Sequence, residues 1–567
     1  MPAHSKSNRR YFDRRLGALT RERSSFIAHY KDLSRYVQPR RGKFSISDRN
    51  KGAPRHQSII NSHATWALRT ARTGLFSGVM NPARPWFRYA TDDPDLMEFG
   101  PVKVWLGQLE ELTRNIFDAG NLYNMAPTMF GELMLFATGC MLHVDDFEDV
   151  ARFYTLTAGS YLIAQDQRQQ VTTLVRQFEM TVEQLVGEFG TSNVSQMVRD
   201  RWDRGDYESW IPTVHFIEPN PDFDPRRAES RFKAWRSVKY ELGNSNTEKF
   251  LSRGGFDRFP GYCPRWDTTE NDVYGTDCPA MTALGDIKGL QIEEKRKAQG
   301  IAKMVNPPLK GPPSLAHSTV SSLPGGLTTV VGGANQESLS SIYTTDPRVQ
   351  ELMQDIEKVE QRIDKAFFVD LFLAISSMEG IQPRNVMELT QRNEEKLVQL
   401  GPALGRVHGE FLEGLFDRTF DQVVAADILP EPPVEIQGEE LKVRFISVLA
   451  MAQNAIATGN IDRLASFTAG LKSAGYETVL DKFDADQAVD EYGHLIGAPP
   501  RLVVPDGRVA EIRQQRAEQL QQQRQQDMML ELAKSGAAPA ANVATADLEQ
   551  DSVVSRTVEN ARQQVGQ

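Results

Sequence analysis

ALGDIKGLQIEEKRKAQGIAKM (residues 283–304) and DPRVQELMQDIEKVEQRIDKAFFVDLFLAI (residues 346–375) are helix-forming stretches, and the chain between them, 305–345, is not. The second opens with Asp346 at the N-cap position and Pro347 at the first helical position, where a missing N–H costs nothing. Val349, Leu352, Ile356, Val359, Ile363, Phe367 and Leu371 then recur at spacings of three and four, which predicts one amphipathic helix of about six turns. The first stretch carries a thinner apolar stripe, including Ile287, Leu290 and Ile301, on a charged helix. Between them stand Pro307-Pro308, Pro312-Pro313, Pro324-Gly325-Gly326 and Gly332-Gly333. Proline removes a donor and clashes one turn back, so short strands such as Leu327–Val331 are the most this insert supports. A long stripe with charge on the other faces suits a rod packed against identical rods, or a helix buried within one subunit. Spacing alone leaves both readings open.

Upstream, Leu16, Leu19, Phe26, Ile27, Tyr30, Leu33, Tyr36 and Val37 predict an amphipathic helix over 11–40, stopped by Pro39, with a polar loop over 41–58. Further helices are expected at 59–80, 101–120 and 125–140. The period then falls towards two. Met141–Val144, Phe153–Leu156, Tyr161–Ala164, Val171–Val175, Thr213–Ile217 and Trp235–Leu242 read as strands, Tyr262–Trp266 as a short edge piece, and 181–189 as a helix. Downstream, 376–383 is a loop and Asn385–Ala426 a long helix, in which Gly401-Pro402 predicts a kink near Leu400. Residues 428–436 form an extended linker, followed by a helical pair at Val443–Gly459 and Ile461–Ala474 and more helix around 484–496. Past Pro499-Pro500 the Gln-rich 514–526 predicts a helix, then a disordered tail. The fold class is α+β, predominantly helical.

Charge is unevenly placed. Residues 1–60 hold 15 Lys+Arg against 4 Asp+Glu, leaving 50 basic and 71 acidic residues for the rest. An acidic body does not grip duplex DNA by neutralising phosphates, although it suits a surface past which DNA slides. The arm, with Arg9-Arg10, Arg14-Arg15 and Arg40-Arg41-Gly42-Lys43, reads either as a nucleic-acid contact or as a solvated face that pairs with an acidic neighbouring subunit. No apolar N-terminal run suggests a signal peptide, and no window is apolar enough for a membrane helix. Cys140, Cys263 and Cys278 make an odd count without a CxxC pair, which points to a reducing compartment and against a disulfide framework or a zinc site.

Catalytic motifs are missing from the sequence. There is no GxxxxGK[ST], no HExxH and no GxSxG. His143 and His215 fall in strand-like stretches and read as hydrogen-bonded structural histidines. Asp222 and Asp224 lack the glycine and distal Glu of a calcium loop. Cys140, among apolar neighbours, reads as an inert buried thiol. No cofactor, metal or enzymatic activity is expected.

Arg69-Thr-Ala-Arg-Thr-Gly-Leu-Phe-Ser-Gly-Val-Met-Asn-Pro-Ala-Arg-Pro-Trp-Phe-Arg88 resembles the portal, or head-to-tail connector, family of short-tailed phages. Gly74, Leu75, Ser77, Gly78, Pro82, Arg84, Pro85, Trp86 and Phe87 carry that pattern. Val273-Tyr-Gly275, Ala283–Lys288, Val305–Pro308, Leu323–Gly326, Ala366–Phe372 and Leu400–Leu404 continue it in order, so the likeness covers about residues 10–460.

The resemblance implies a dodecameric ring of subunits with wing, stem, clip and crown regions. It places a basic arm and wing helix at 1–60, an α+β wing at 61–282, a first stem helix at 283–304, a clip at 305–345 and a second stem helix at 346–375. A tunnel loop (376–384) and a kinked channel helix (385–427) would follow, then a return to the wing (428–445), a helical crown (446–505) and a Gln-rich helix with tail that could form a barrel (506–567). Stem packing would fall to Ile287, Leu290, Ile301, Leu352, Ile356, Val359, Ile363 and Phe367, and the clip to Pro307, Pro308, Pro324, Gly325 and Gly326. The tunnel loop would present Met378, Glu379, Gly380, Ile381, Gln382 and Arg384. Relatives have a Thr/Ala-rich helix start after that loop, where this chain has Arg384-Asn385-Val386-Met387.

Implied partners are further copies of the chain, the terminase large subunit, major capsid and scaffolding proteins, tail adaptor proteins, and double-stranded DNA passing through without sequence preference. The implied location is the virion's portal vertex, after assembly in the host bacterial cytoplasm, with no membrane. Two other readings are a coiled-coil scaffolding or internal core protein, which the strand-rich 140–265 region fits poorly, and a packaging enzyme, which needs motifs this chain lacks.

Overall fold

The computed structural model describes residues 8–540 apart from 50–51, 92, 94–95, 98, 244–248, 306–308, 311–339, 342–348, 377–397, 447, 477–481, 496–503 and 505. The chain divides into two compact units: residues 1–484 with 491–497, and residues 485–490 with 498–567.

The strands, in chain order, are β1 (Phe87–Ala90), β2 (Met141–Asp146), β3 (Val150–Thr155), β4 (Tyr161–Gln165), β5 (Val171–Thr181), β6 (Trp210–Pro219), β7 (Trp235–Glu241), β8 (Ser252–Phe256), β9 (Gly261–Tyr262), β10 (Leu309–Lys310), β11 (Ser340–Ser341) and β12 (Lys442–Phe445). Strands β4 to β8 form an antiparallel meander in chain order, as short connections favour. A second sheet, β3-β2-β9, joins a hairpin to a strand more than a hundred residues on.

The first helix, Arg9–Val37, starts at Asn8, whose side chain accepts from the Tyr11 backbone N–H. Its stripe buries Phe12, Leu16 and Leu19 against Leu162, Val175, Val214, Phe216 and Tyr240 of the meander. Lower down, Tyr30, Leu33 and Val37 enter a larger core with the helices His63–Val79, Gly100–Ala119, Leu122–Phe136 and Pro279–Val305. Most of these elements lie where the periodicity puts them, and four differ.

The expected helix at 346–375 is two, Val349–Ala366 and Val369–Ser376, separated at Phe368, whose φ is 53°. A left-handed turn at a bulky residue is strained. It persists here because Phe367, Leu371 and Phe372 are all fully buried around it. The stripe shows no break because both sides of the bend face one core. The expected pair at 443–474 is a single helix, Val448–Ser473, because one glycine costs about 1 kcal/mol and does not stop a helix, while Val443 is taken up by β12. The helix expected over 125–140 ends at Phe136, with Ala137 left-handed. The edge piece expected at 262–266 is the two-residue strand Gly261–Tyr262, and Pro264, without an N–H, enters the ladder only as an acceptor from the Gly139 N–H.

In the second unit, a helix runs Asp506–Ala540, and Arg513 pairs with Asp486 at 2.7 Å. No described helix is long and apolar enough to cross a membrane.

Candidate functional site

The Pro279–Val305 and Val349–Ala366 helices pack antiparallel. Arg362 bonds Asp286 at 2.9 Å, while Asn61 reaches both Glu294 (3.2 Å) and Glu360 (2.8 Å), so one residue number rises as the other falls. Ile287, Leu290, Ile356, Val359, Ile363 and Phe367 are buried in one cluster, with Leu352 half-buried at its edge. For these residues the stripe is a face buried within this chain. Ile301 departs from them: it is 42% exposed, in company with Ile292, Met304, Val305 and Met353. Polar contacts hold the buried end. Gln291 accepts from the backbone N–H of Ile60 (2.6 Å) and Asn61 (2.9 Å) and donates to the Asn61 carbonyl, and His63 bonds Asp364 at 2.8 Å. Gln291 is itself buried, so this exchange satisfies an amide that burial would otherwise penalise.

The motif at 74–87 builds the adjoining corner. A Cβ on Gly74 would lie 2.3 Å from the Phe372 Cβ, so only glycine lets the Val369–Ser376 helix seat on His63–Val79. Leu75 and Gly78 are buried on the same helix, and Ser77 is half-buried. After the turn in which the Arg84 N–H donates to the Asn81 carbonyl, Pro82 and Pro85 are exposed and Trp86 is buried, its Nε1 donating to the Tyr123 hydroxyl at 3.1 Å. Phe87 pairs with Phe445 across β1–β12 and lies 4.6 Å from Phe416, ring to ring. This motif thereby ties three distant parts of the chain into one aromatic cluster. The Val273-Tyr-Gly275 motif works similarly, because a Cβ on Gly275 would come within 2.1 Å of the Ala137 carbonyl.

Residues 398–407, including Gly401-Pro402, are helical, and the next five, His408–Leu412, form a π-turn before the helix resumes over Glu413–Ala425. The turn presents Glu410 to Arg265, a buried guanidinium 2.6 Å away that also bonds the Gln165 side chain and the Gln169 carbonyl. Arg418 and Gln422 both reach Asp145, and Arg258 reaches Asp417 and Asp421. Sequence reading missed this joint, since its partners lie 145 to 277 residues apart and no local spacing signals them.

Several arginines of the basic arm bond within their own chain. Arg15 pairs with buried Glu218 (2.7 Å), Arg49 with Glu179 (2.9 Å) and Arg41 approaches buried Glu132 (3.7 Å). Arg9 donates to the Glu241 carbonyl, and Arg23 to those of Gly159 and Tyr161. These five arginines bond groups of their own chain, while Arg10 and Arg14 remain exposed. His143 bonds the Tyr262 hydroxyl at 2.7 Å, and His215 bonds Ser237 at 2.8 Å. Burial depresses both imidazoles, His215 to about 3. Asp224 caps the Arg226 backbone N–H. Among the described residues no carboxylate, histidine and cysteine cluster could hold a metal. Pro307, Pro308, Pro324, Gly325, Gly326 and the loop residues Met378, Glu379, Gly380, Ile381, Gln382 and Arg384 lie outside the described residues, as do Asp346 and Pro347.

Residues 9–504 match the model of a family described as bacteriophage head to tail connecting protein. The chain is 42% identical over 537 residues to the "Probable portal protein" of Bordetella phage BPP-1, covering 94% of this chain and 95% of that one. It is 40% identical over 534 residues to the "Portal protein" of Salmonella phage epsilon15, with the same coverage. Among solved structures, the "Neck of empty GTA particle computed with C6 symmetry" aligns at a TM-score of 0.33 and 10% identity, covering 75% of this chain and 93% of that one. The expectation of a structural chain without catalysis agrees with relatives named as portal proteins. With a family model matched over most of its length and two such relatives at 40% identity or more, the chain belongs to the bacteriophage head-to-tail connecting, or portal, protein family.

Proposed function

We propose that this chain assembles as a dodecameric ring at one capsid vertex, through which double-stranded DNA enters during packaging and leaves at ejection. The observation that carries this reading is the end-to-end match to portal proteins, 94% of the chain at 40–42% identity. The antiparallel helix pair supports it. One end is clamped inside the subunit, while the other leaves Ile301, Met304, Val305 and Met353 exposed. Apolar side chains concentrated on a rod suit burial against the next rod, and a heterologous contact closes into a ring when its rotation divides a full turn.

In this reading 61–282 is the wing, the two helices are the stem, 305–345 is the clip, 376–384 the tunnel loop, the helix through Gly401-Pro402 lines the channel, and 446–505 forms the crown. The clip docks the terminase motor and later the tail adaptors, while the wing meets capsid and scaffolding proteins during assembly in the bacterial cytoplasm. The motor supplies the energy, since this chain has no phosphate loop. DNA contact is independent of sequence and weakens with salt. Negative-stain microscopy of the purified full chain tests the proposal. Twelve-fold rings with a central hole are expected, and fibres or persistent monomers at micromolar concentration overturn it.

A further inference from the structure

We propose that Cys140 and Cys263 form a poised dithiol, a modification site that a peroxide closes into a cross-strand disulfide. The two lie 123 positions apart in the chain, yet their sulfurs are 3.6 Å apart and both side chains are buried. They face one another across an antiparallel ladder. Met141 pairs with Tyr262, the Gly139 N–H donates to the Pro264 carbonyl, and the His143 N–H donates to the Pro260 carbonyl. Hydrogen-bonded pairs therefore fall at 139/264, 141/262 and 143/260, and Cys140 and Cys263 occupy the intervening non-bonded position.

At such positions Cα atoms are about 4.5 Å apart with side chains on one face, inside the roughly 4.4–6.8 Å range that a disulfide spans. Closure to about 2.05 Å needs side-chain rotation and no change of register. The third cysteine, Cys278, belongs to a different core cluster.

The chemistry balances with one peroxide. One thiolate attacks the O–O bond, giving a sulfenic acid and releasing water once protonated. The second sulfur then displaces the sulfenic hydroxyl as water, so two thiols and hydrogen peroxide become one disulfide and two waters. Burial raises the Cys140 thiol pKa, which keeps the thiolate scarce and the pair slow to react under reducing conditions. Its placement gives closure a mechanical consequence. Arg265, which grips Glu410 of the π-turn, follows Cys263 by two residues, so the disulfide would pin that joint.

The test treats the purified full chain with hydrogen peroxide, then unfolds it, alkylates free thiols and maps peptides. The expected result is a Cys140–Cys263 linked peptide with Cys278 still alkylated, and a Tm higher by roughly 2–4 °C that dithiothreitol reverses. Cys140→Ala and Cys263→Ala should each abolish both changes. Three alkylatable cysteines after treatment overturn the proposal. So does a linkage through Cys278, or sulfinic and sulfonic acids at Cys140 or Cys263 without a linkage.

Discussion

Single atoms decide several features of this protein. Gly74 has no side chain because the Phe372 Cβ occupies the space a methyl would need. Gly74→Val is expected to lower unfolding stability by about 1–3 kcal/mol, as overpacking does, read as a lower midpoint in urea titrations. The sequence showed that this glycine belongs to a motif but not what it touches, because its partner is nearly three hundred residues away. Glu110 illustrates a charge placed by the fold. Burial pushes its carboxyl up to about 7, against the opposing pull of the Tyr89 backbone N–H and of Arg88 and Arg114. Since the folded-state pKa lies above the ordinary 4.5, the neutral form favours folding. That contribution is complete below about 4.5 and is lost as pH rises through about 7. Glu110→Gln should therefore flatten the fall in Tm between pH 5 and pH 8, and an unchanged pH profile would refute the assignment.

Among the elements, the 398–425 helix carries its irregularity at His408–Leu412, six residues beyond the Gly401-Pro402 pair that the sequence marks. Proline announces itself in a sequence, whereas a π-turn is imposed by what the helix must reach. Here that is Arg265, with the ring of His408 stacked 4.8 Å from Phe445. Breaking a buried ion pair from one side leaves an uncompensated charge. Arg265→Met is expected to cost about 1–3 kcal/mol, since Glu410 keeps some solvent and Arg406 at 4.0 Å, with faster hydrogen exchange through 408–412, and Arg265→Met with Glu410→Leu should cost less than the single change. The bend at Phe368 teaches the same lesson. Apolar periodicity reports which residues face a core, and it continued across the break because the core continued.

For the whole molecule, the prediction concerns assembly. Ile301 is exposed in the subunit, so Ile301→Glu should leave the Tm of the isolated chain nearly unchanged, within about 0.5 kcal/mol of stability. If the exposed end of the helix pair packs against a second copy, the same change should sharply reduce the yield of rings by light scattering and microscopy. Rings formed at undiminished yield would remove this surface from the interface. The arm shows how far composition reaches. An excess of 11 positive charges in residues 1–60 suggested an external partner, but arginines 9, 15, 23, 41 and 49 bind acids and carbonyls of the same chain. By itself the sequence determined the alternation of helices and strands, the helix–insert–helix layout and the family, because periodicity, proline and ordered motifs are local properties of a chain. Only the tertiary structure decided which stripe residues are buried inside the subunit, why Gly74 admits nothing larger, where the long helices bend, and that Cys140 meets Cys263. Those outcomes depend on contacts between residues tens to hundreds of positions apart, and chain spacing carries no record of them.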